Sequence, residues 1–459
     1  MYVPVLIIGS GIAGLSVAYN LTKNNIKNIV VTKEGNYLKS NSAIAPANMR
    51  LFNNYINGVT SYMNQCNGNY ETINSIYSNQ DMLIETLNEL NIEMEQTSIG
   101  IIPKTEVELG GQLLLKKMYS NVKNVLNNTF LIDIKKHEKY IECLLYHKEE
   151  KWIHINCNAI VFATGGIASV FKHNDNSNSA TGECTYILQK ETNKLKGIST
   201  IMFHPFGIEE GKRILTGDIV SYTEKIYQKN SNGNIEELYL NPEVMNAIRT
   251  NKYHSNEMFY NILSIFYNKD IYLKLREEFD ITLFKKYNYN KEILVDNLIH
   301  IQPTAHYTSG GIVVDKYFKV DERIFANGEI VFDGTKGIGR IPGHAFTSSI
   351  IGGRIISNEI QKIKFNVIEN ETKFDIEKKI VKNDERDYFK IKSVYDKTLL
   401  DVQKMFFKQS YESNLESEIK KSIELIYNNI KSIKELNIYY RINLLYEIVK
   451  DLKIKRHKE

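Results

Sequence analysis

The chain has 459 residues, more than one ordinary domain holds and enough for roughly two to four with a large buried core. Its 42% hydrophobic and 24% charged content is that of a globular protein, and 58 basic against 54 acidic residues leave a net charge of only +4, which gives no electrostatic reason to expect a nucleic acid or an anionic membrane as partner. Cys66, Cys143, Cys157 and Cys184 form no CxxC pair, which argues against a zinc ribbon, an iron–sulfur site or a disulfide framework, predicts no metal site and fits a reducing cytoplasm.

Residues Val3-Pro4-Val5-Leu6-Ile7-Ile8 are a short apolar run, the pattern of a buried parallel strand, and no basic n-region of a signal peptide precedes them. Gly9-Ser10-Gly11-Ile12-Ala13-Gly14 follows, then a helical stretch from Leu15 to Thr22 and a second strand at Ile29-Val30-Val31-Thr32, completing a βαβ unit. In such a turn Gly9 permits the tight reversal, Gly11 lets the backbone approach a pyrophosphate, and Gly14 allows close helix packing. The helix beginning near Gly11 offers free N–H groups and a positive dipole end to the phosphate, so Gly9, Ser10, Gly11, Ala13 and Gly14 are the expected dinucleotide contacts.

From about 70 to 125 the apolar spacing predicts helix, followed by short strands around 129–134 and 140–146. Ala159-Ile160-Val161-Phe162-Ala163 reads as another buried strand, stopped by Thr164-Gly165-Gly166. Between about 209 and 300 Asn, Tyr and Lys become dense and glycine is absent after Gly233, which predicts an inserted domain. Sheet-and-turn character returns at Gly310–Asp315 and at Ile324–Glu329. Beyond about 360 the chain is rich in Lys and Glu, helical in period and free of glycine, with a linker expected around Glu369 to Asp375. The basic end Lys453-Ile454-Lys455-Arg456-His457-Lys458 reads as a solvated helix terminus, and no apolar run approaches the roughly 20 residues of a membrane span.

The expected fold class is therefore α/β: a Rossmann-type FAD-binding domain with an inserted α+β capping domain and a helical C-terminal domain. The boundaries drawn are 1–208 and 301–360 for the two parts of the FAD-binding domain, 209–300 for the cap, and 361–459 for the helices. FAD rather than NAD is argued by the N-terminal position of the glycine turn and by the late segment Ala326-Asn327-Gly328-Glu329, which resembles the closing FAD segment of two-dinucleotide-fold flavoproteins. Glu329 is the candidate acceptor for a cofactor hydroxyl. The second strand ends Thr32-Lys33-Glu34, so the usual ribose carboxylate is absent or displaced by one position.

Several segments in order resemble the succinate dehydrogenase, fumarate reductase and L-aspartate oxidase flavoprotein family: Val31-Thr32-Lys33, Ser40-Asn41-Ser42-Ala43-Ile44-Ala45, Ala163-Thr164-Gly165-Gly166, Thr181-Gly182-Glu183, Phe203-His204-Pro205, His306-Tyr307-Thr308-Ser309-Gly310-Gly311-Ile312 and Gly339-Arg340-Ile341. The resemblance implies FAD contacts from Lys33, Ser40, Ser42, Ala163, Thr164, Gly165, Glu183, Glu329 and Ala345. Members that attach FAD covalently use a histidine in the segment matching 40–46; this chain has none there, which implies non-covalent FAD. The implied chemistry is hydride transfer from a small dicarboxylate or amino-dicarboxylate to flavin, with L-aspartate becoming iminoaspartate, oxygen or fumarate reoxidising the flavin, and the product handed to a quinolinate synthase in NAD biosynthesis. His204, His306, Arg340 and Thr216 are the residues implied for the substrate, since two carboxylates call for cationic or strong donor groups.

The chain also departs from the family. Leu215-Thr216-Gly217-Asp218 keeps the threonine but lacks the arginine and glutamate that follow it elsewhere, and the slot of the cap arginine that donates a proton in fumarate reduction holds Asn256. His344-Ala345 replaces an Asn-Ser pair, and Pro46-Ala47-Asn48 replaces Gln-Gly-Gly. An asparagine does not deliver a proton as a guanidinium network does, so the departures favour amino-acid oxidation over fumarate reduction. The alternatives are a soluble fumarate reductase-like flavoprotein acting on another dicarboxylate, and a flavin-binding protein with little catalysis.

Overall fold

The computed structural model describes residues 1–459 except 107, 150, 254–255, 268, 288, 369–372, 381–383, 385, 407–413 and 457–459. Tyr2–Ile8 (β1), Ile12–Lys23 (α1) and Asn28–Val31 (β2) build the expected βαβ unit. β1 lies between β2 and Lys151–Phe162 (β3), parallel to both, with Leu6 opposite Ile29 on one side and Ile160 on the other. Val5, Leu6 and Ile7 are fully buried, as a central parallel strand covered on both faces requires. Ile324–Ala326 extends the sheet beside β3 and Val125–Leu126 beside β2, both parallel. Thr129–Lys136 and Ile141–His147, where two short strands were expected, pair as an antiparallel hairpin.

Glu183–Thr192 (α2) leads into a second sheet built around Ile201–Ile208 (β4) and Leu298–Thr308 (β5), which pair antiparallel. This seven-stranded sheet starts inside the span assigned to the first part of the FAD-binding domain and ends inside the second. The compositional shift at about 209 marks where the polar surface of the insertion begins, whereas the strands that mount it share the apolar pattern of any buried strand. The stretch from 70 to 125 also needs correction. Tyr70–Ser78, Asp81–Glu89 and Gly110–Tyr119 are helical, but Met94–Thr97 and Gly100–Pro103 form a hairpin that pairs with Met49–Arg50. Strands of four residues carry too little alternation to stand out from helical spacing.

His344–Ile360 (α3) packs against α1, and Ile433–Arg456 (α4) is the last of the C-terminal helices. Two hydrophobic clusters result: one under the dinucleotide sheet, the other joining the inserted sheet to residues of the C-terminal helices such as Val402, Ile442 and Val449. α4 is tied down along its length. Tyr440 donates to the carbonyl of Ile132 at 2.7 Å, and Asp451 accepts from the Ser199 N–H and hydroxyl at 3.0 and 2.5 Å. Lys453 pairs with Glu416 and Lys455 with Asp451, so these two lysines of the expected solvated terminus are ion-paired. Residues 369–372 of the expected linker lie outside the described residues.

Candidate active site

The glycine turn is forced by contact. Gly9 has φ +112°, and a Cβ there would stand 2.2 Å from the Ala163 carbonyl oxygen; a Cβ on Gly14 would stand 1.9 Å from the oxygen of Gly9. α1 can therefore begin directly beneath the end of β3 only with these residues. Ser10 donates its hydroxyl to Thr32 at 2.9 Å inside the fold, which leaves its backbone to face a ligand. Ser42 accepts from the N–H of Ile12 at 3.1 Å, at the N-terminus of α1. Gly165, with φ +76°, has open space where a side chain would be. Thr164 meets the Cys184 thiol, Ala163 packs against Gly14, Ala13 against Gly328, and Ala345 accepts from Ser348 and Ser349 in the first turns of α3.

Lys33 and Glu183 are brought together, but onto each other. Lys33 Nζ lies 3.3 Å from Glu183 and 3.0 Å from the Thr181 hydroxyl, Thr181 donates to Glu183 at 2.5 Å, and Arg441 of α4 adds two N–H donors at 3.0 and 2.9 Å. Against a burial cost that favours the neutral acid, Lys33 and Arg441 hold the carboxyl down at about 2. These two residues, expected at the cofactor, thus form a charge cluster with Thr181 and Arg441. Glu329 behaves oppositely. It accepts from the Thr308 N–H at 2.9 Å, and its enclosure pushes the carboxyl up to about 7 despite Arg340 and His306 nearby.

His204 and His306 sit on adjacent strands of the inserted sheet, their ring centroids 6.2 Å apart. A register shift between Met202 and Phe203 allows both to serve one site. The two rings are held in opposite senses. Nδ1 of His204 accepts from the Phe206 N–H at 3.3 Å, which leaves Nε2 as the protonated nitrogen of the neutral ring; Nδ1 of His306 is 2.8 Å from Asp175 Oδ2, so that ring donates through Nδ1. The guanidinium of Arg340 stacks 3.8 Å over the ring of Tyr307, bringing the arginine to the residue next to His306. Thr216 follows Leu215, whose N–H bonds the carbonyl of Phe206 next to the His204 strand segment. The helix Asn256–Phe266 covers this corner: Phe259 lies against His204, and Tyr260 donates to the Gly337 carbonyl. The side chain of Asn256 is outside what is described.

Two acids at the site escaped sequence reasoning. Asp175 orients His306, and the buried Asp333 accepts from Tyr307 at 2.6 Å and lies 3.5 Å from His344, whose other nitrogen is 2.8 Å from the Tyr77 hydroxyl. His344 thus bonds Tyr77 through Nδ1, while its Nε2 faces Asp333 without a hydrogen bond. The only available signal was an aspartate after the apolar run Ile330-Val331-Phe332, which by itself suggests nothing beyond a strand end.

Whether these residues suit a flavin dinucleotide is answered by what they leave unsatisfied. Among the described residues, the buried side-chain atoms without a hydrogen-bond partner include Ser40 Oγ, Thr216 Oγ1 and Arg340 Nε, three of the expected ligand contacts. Buried polar atoms without partners are uncommon and call for a ligand or water. With the Gly9–Gly14 cradle and the space at Gly165, the donor set fits FAD along the sheet and a small anion beside the two imidazoles. Burial pushes the thiols of Cys66 and Cys184 up to about 12, so neither is a reactive thiolate.

Comparison with known proteins agrees with this layout. The sequence pattern of the pyridine nucleotide-disulphide oxidoreductase family matches residues 3–197, the first dinucleotide-binding stretch; with no CxxC pair present, the match concerns the nucleotide fold and not disulfide chemistry. The L-aspartate oxidase of Clostridium perfringens is 24% identical over 388 residues, covering 76% of this chain and 84% of that protein. The fumarate reductase flavoprotein subunit of Escherichia coli is also 24% identical, but over 50% of this chain and 42% of the subunit. Among solved structures, Escherichia coli quinol fumarate reductase superposes with a TM-score of 0.67 at 16% identity, over 98% of this chain and 87% of that one. A 3-ketosteroid delta1-dehydrogenase of Sterolibacterium denitrificans superposes with a TM-score of 0.55 at 10% identity, over 79% of this chain and all of the other. The fold is therefore shared by proteins acting on quite different molecules, and substrate must be argued from the site.

Proposed function

Because the chain is a divergent member of the succinate dehydrogenase, fumarate reductase and L-aspartate oxidase flavoprotein family, and an FAD-dependent oxidoreductase, we propose that its substrate is L-aspartate and its product iminoaspartate, an intermediate for a quinolinate synthase in NAD biosynthesis. The observation that supports the reading is a set of donors on the segments bearing or next to the two imidazoles: Arg340, stacked on Tyr307 with Nε unpartnered, the unpartnered Thr216 hydroxyl, and a His204 ring whose Nε2 is the donor. Its complement is a small ligand bearing carboxylates. Three relatives named L-aspartate oxidase match over 78–85% of their length and a fourth over 42%, whereas the fumarate reductase subunits match over 38–42% of theirs.

Bound FAD supplies the two-electron acceptor, and the Gly9–Gly14 turn, Ser40 and Gly165 are the residues that would hold it. Arg340 binds one carboxylate, its plane fixed by the Tyr307 ring. His204, buried among Phe206, Tyr253 and Phe259, donates to the other end of the substrate, and those rings exclude water from it.

Addition of L-aspartate to the purified, FAD-loaded protein without oxygen should bleach the visible flavin band. An unchanged spectrum overturns the aspartate reading. Reoxidation of the chemically reduced protein by fumarate, with no response to aspartate, would instead assign it to dicarboxylate reduction.

A further inference from the structure

The pairing of Asp175 with His306 gives the site a base that the donor set alone does not explain. His306 Nδ1 and Asp175 Oδ2 are 2.8 Å apart, from residues separated by 131 positions in the chain. The segment carrying Asp175 is strapped to β5 as a short extra strand. Ala305 N–H donates to the His173 carbonyl, Asn174 bridges to Ala305, and Asn176 donates to the His306 carbonyl at 2.8 Å and to Asp175 Oδ1 at 3.1 Å. Asn41, from the segment that holds Ser40 and Ser42, donates to Asn176 Oδ1 at 2.5 Å and accepts from the Ser177 N–H at 2.6 Å. The aspartate is therefore mounted from both sides, while the His306 side chain stays 32% exposed and its Nε2 has no partner among the described residues.

We propose that Asp175 is a positioning residue that holds His306 with Nδ1 protonated, so that Nε2 is the proton acceptor for a substrate ammonium group. This rests on the amino-acid substrate proposed above. An ammonium must lose a proton before its nitrogen lone pair can assist oxidation at the adjacent carbon. In the step, one N–H bond of the ammonium breaks, its electron pair stays on nitrogen as the amine lone pair, and the proton forms a new bond to Nε2. The resulting imidazolium faces the Asp175 carboxylate, which balances its charge. His204 does not substitute for it, because its Nδ1 already accepts a backbone N–H and its Nε2 is the protonated nitrogen of the neutral ring. Two histidines of one site are thereby divided into a donor and an acceptor.

The test uses FAD-loaded protein with 15N-labelled histidine. In the neutral rings the imidazole shifts should report Nδ1–H for His306 and Nε2–H for His204, and Asp175→Asn should erase the His306 preference. An Nε2–H tautomer for His306 in the unaltered protein overturns the pairing. In flavin reduction by L-aspartate, Asp175→Asn and His306→Gln should lower kcat by about 100-fold or more with KM changed far less, and Asp175→Glu should recover part of the loss. Normal kcat in Asp175→Asn overturns the proton-acceptor role. An Nδ1–H tautomer in a protein that aspartate does not reduce overturns the substrate reading and its proton step, leaving the pairing in place.

Discussion

Arg441, in the final helix, places two N–H groups on the Glu183 carboxylate at 3.0 and 2.9 Å, across 258 residues of sequence. Through Lys33, which shares the same carboxylate oxygen Oε1 with Arg441, the C-terminal helices are fastened to the strand that ends beside the dinucleotide turn. Glu183 is buried, so its charge stands only while both cations are present.

Removing one of them should be costly. Arg441→Ala is expected to lower stability by about 3 kcal/mol in urea unfolding, and Arg441→Lys to recover only part, because an ammonium cannot supply the paired N–H geometry. The sign with pH follows from the depressed value. The stabilisation by Glu183 is fully present above its ordinary 4.5 and is lost as pH falls through about 2. It amounts to about 3 kcal/mol, and Glu183→Gln should remove that part of the acid dependence.

Glu329, whose enclosure pushes its carboxyl up to about 7, is expected to act on cofactor affinity. An acceptor bond to a cofactor hydroxyl is stronger in the ionised form, which gains population as pH rises through that value. FAD affinity should therefore rise as pH increases through about 7 and level off on either side. Equilibrium dialysis across this range checks the slope. Glu329→Gln should give weaker binding that no longer varies there.

Arg340→Ala should raise the KM for aspartate about 10- to 100-fold, the loss of a charged hydrogen bond of roughly 1.5–3 kcal/mol, with FAD content unchanged. Arg340→Lys should rescue little, since the planar stack on Tyr307 depends on the guanidinium. An unchanged KM removes Arg340 from the substrate site.

Two glycine substitutions separate fold from cofactor. Gly14→Ala drives a methyl to 1.9 Å from a backbone oxygen and should prevent α1 from seating, seen as loss of soluble folded protein. Gly165→Ala meets no neighbour but carries φ +76°, so the fold should survive with a cost of about 1–2 kcal/mol while FAD binding weakens. Circular dichroism together with bound-flavin absorbance distinguishes the two.

Much of the candidate site was legible before the fold was known. The βαβ unit at residues 2–31, β3 and the late strand at Ile324–Ala326 lie where the apolar runs and glycines put them. His204 and His306, read from separate motifs, lie on adjacent strands with ring centroids 6.2 Å apart, and Arg340 stacks on Tyr307, the neighbour of His306. The hairpin at 94–103 and the full extent of the inserted sheet were not legible, because short strands take their identity from partners distant in sequence.

The sequence by itself determined the dinucleotide turn, since a glycine position is dictated by the backbone's own sterics and can be read one residue at a time. The tertiary structure alone decided what the polar side chains do. Lys33 and Glu183 are matched to each other and to Arg441, and His204 and His306 take opposite tautomers because one meets a backbone N–H and the other meets Asp175. A polar side chain's role is set by the partner that folding brings to it, and no local pattern encodes a partner 131 residues away.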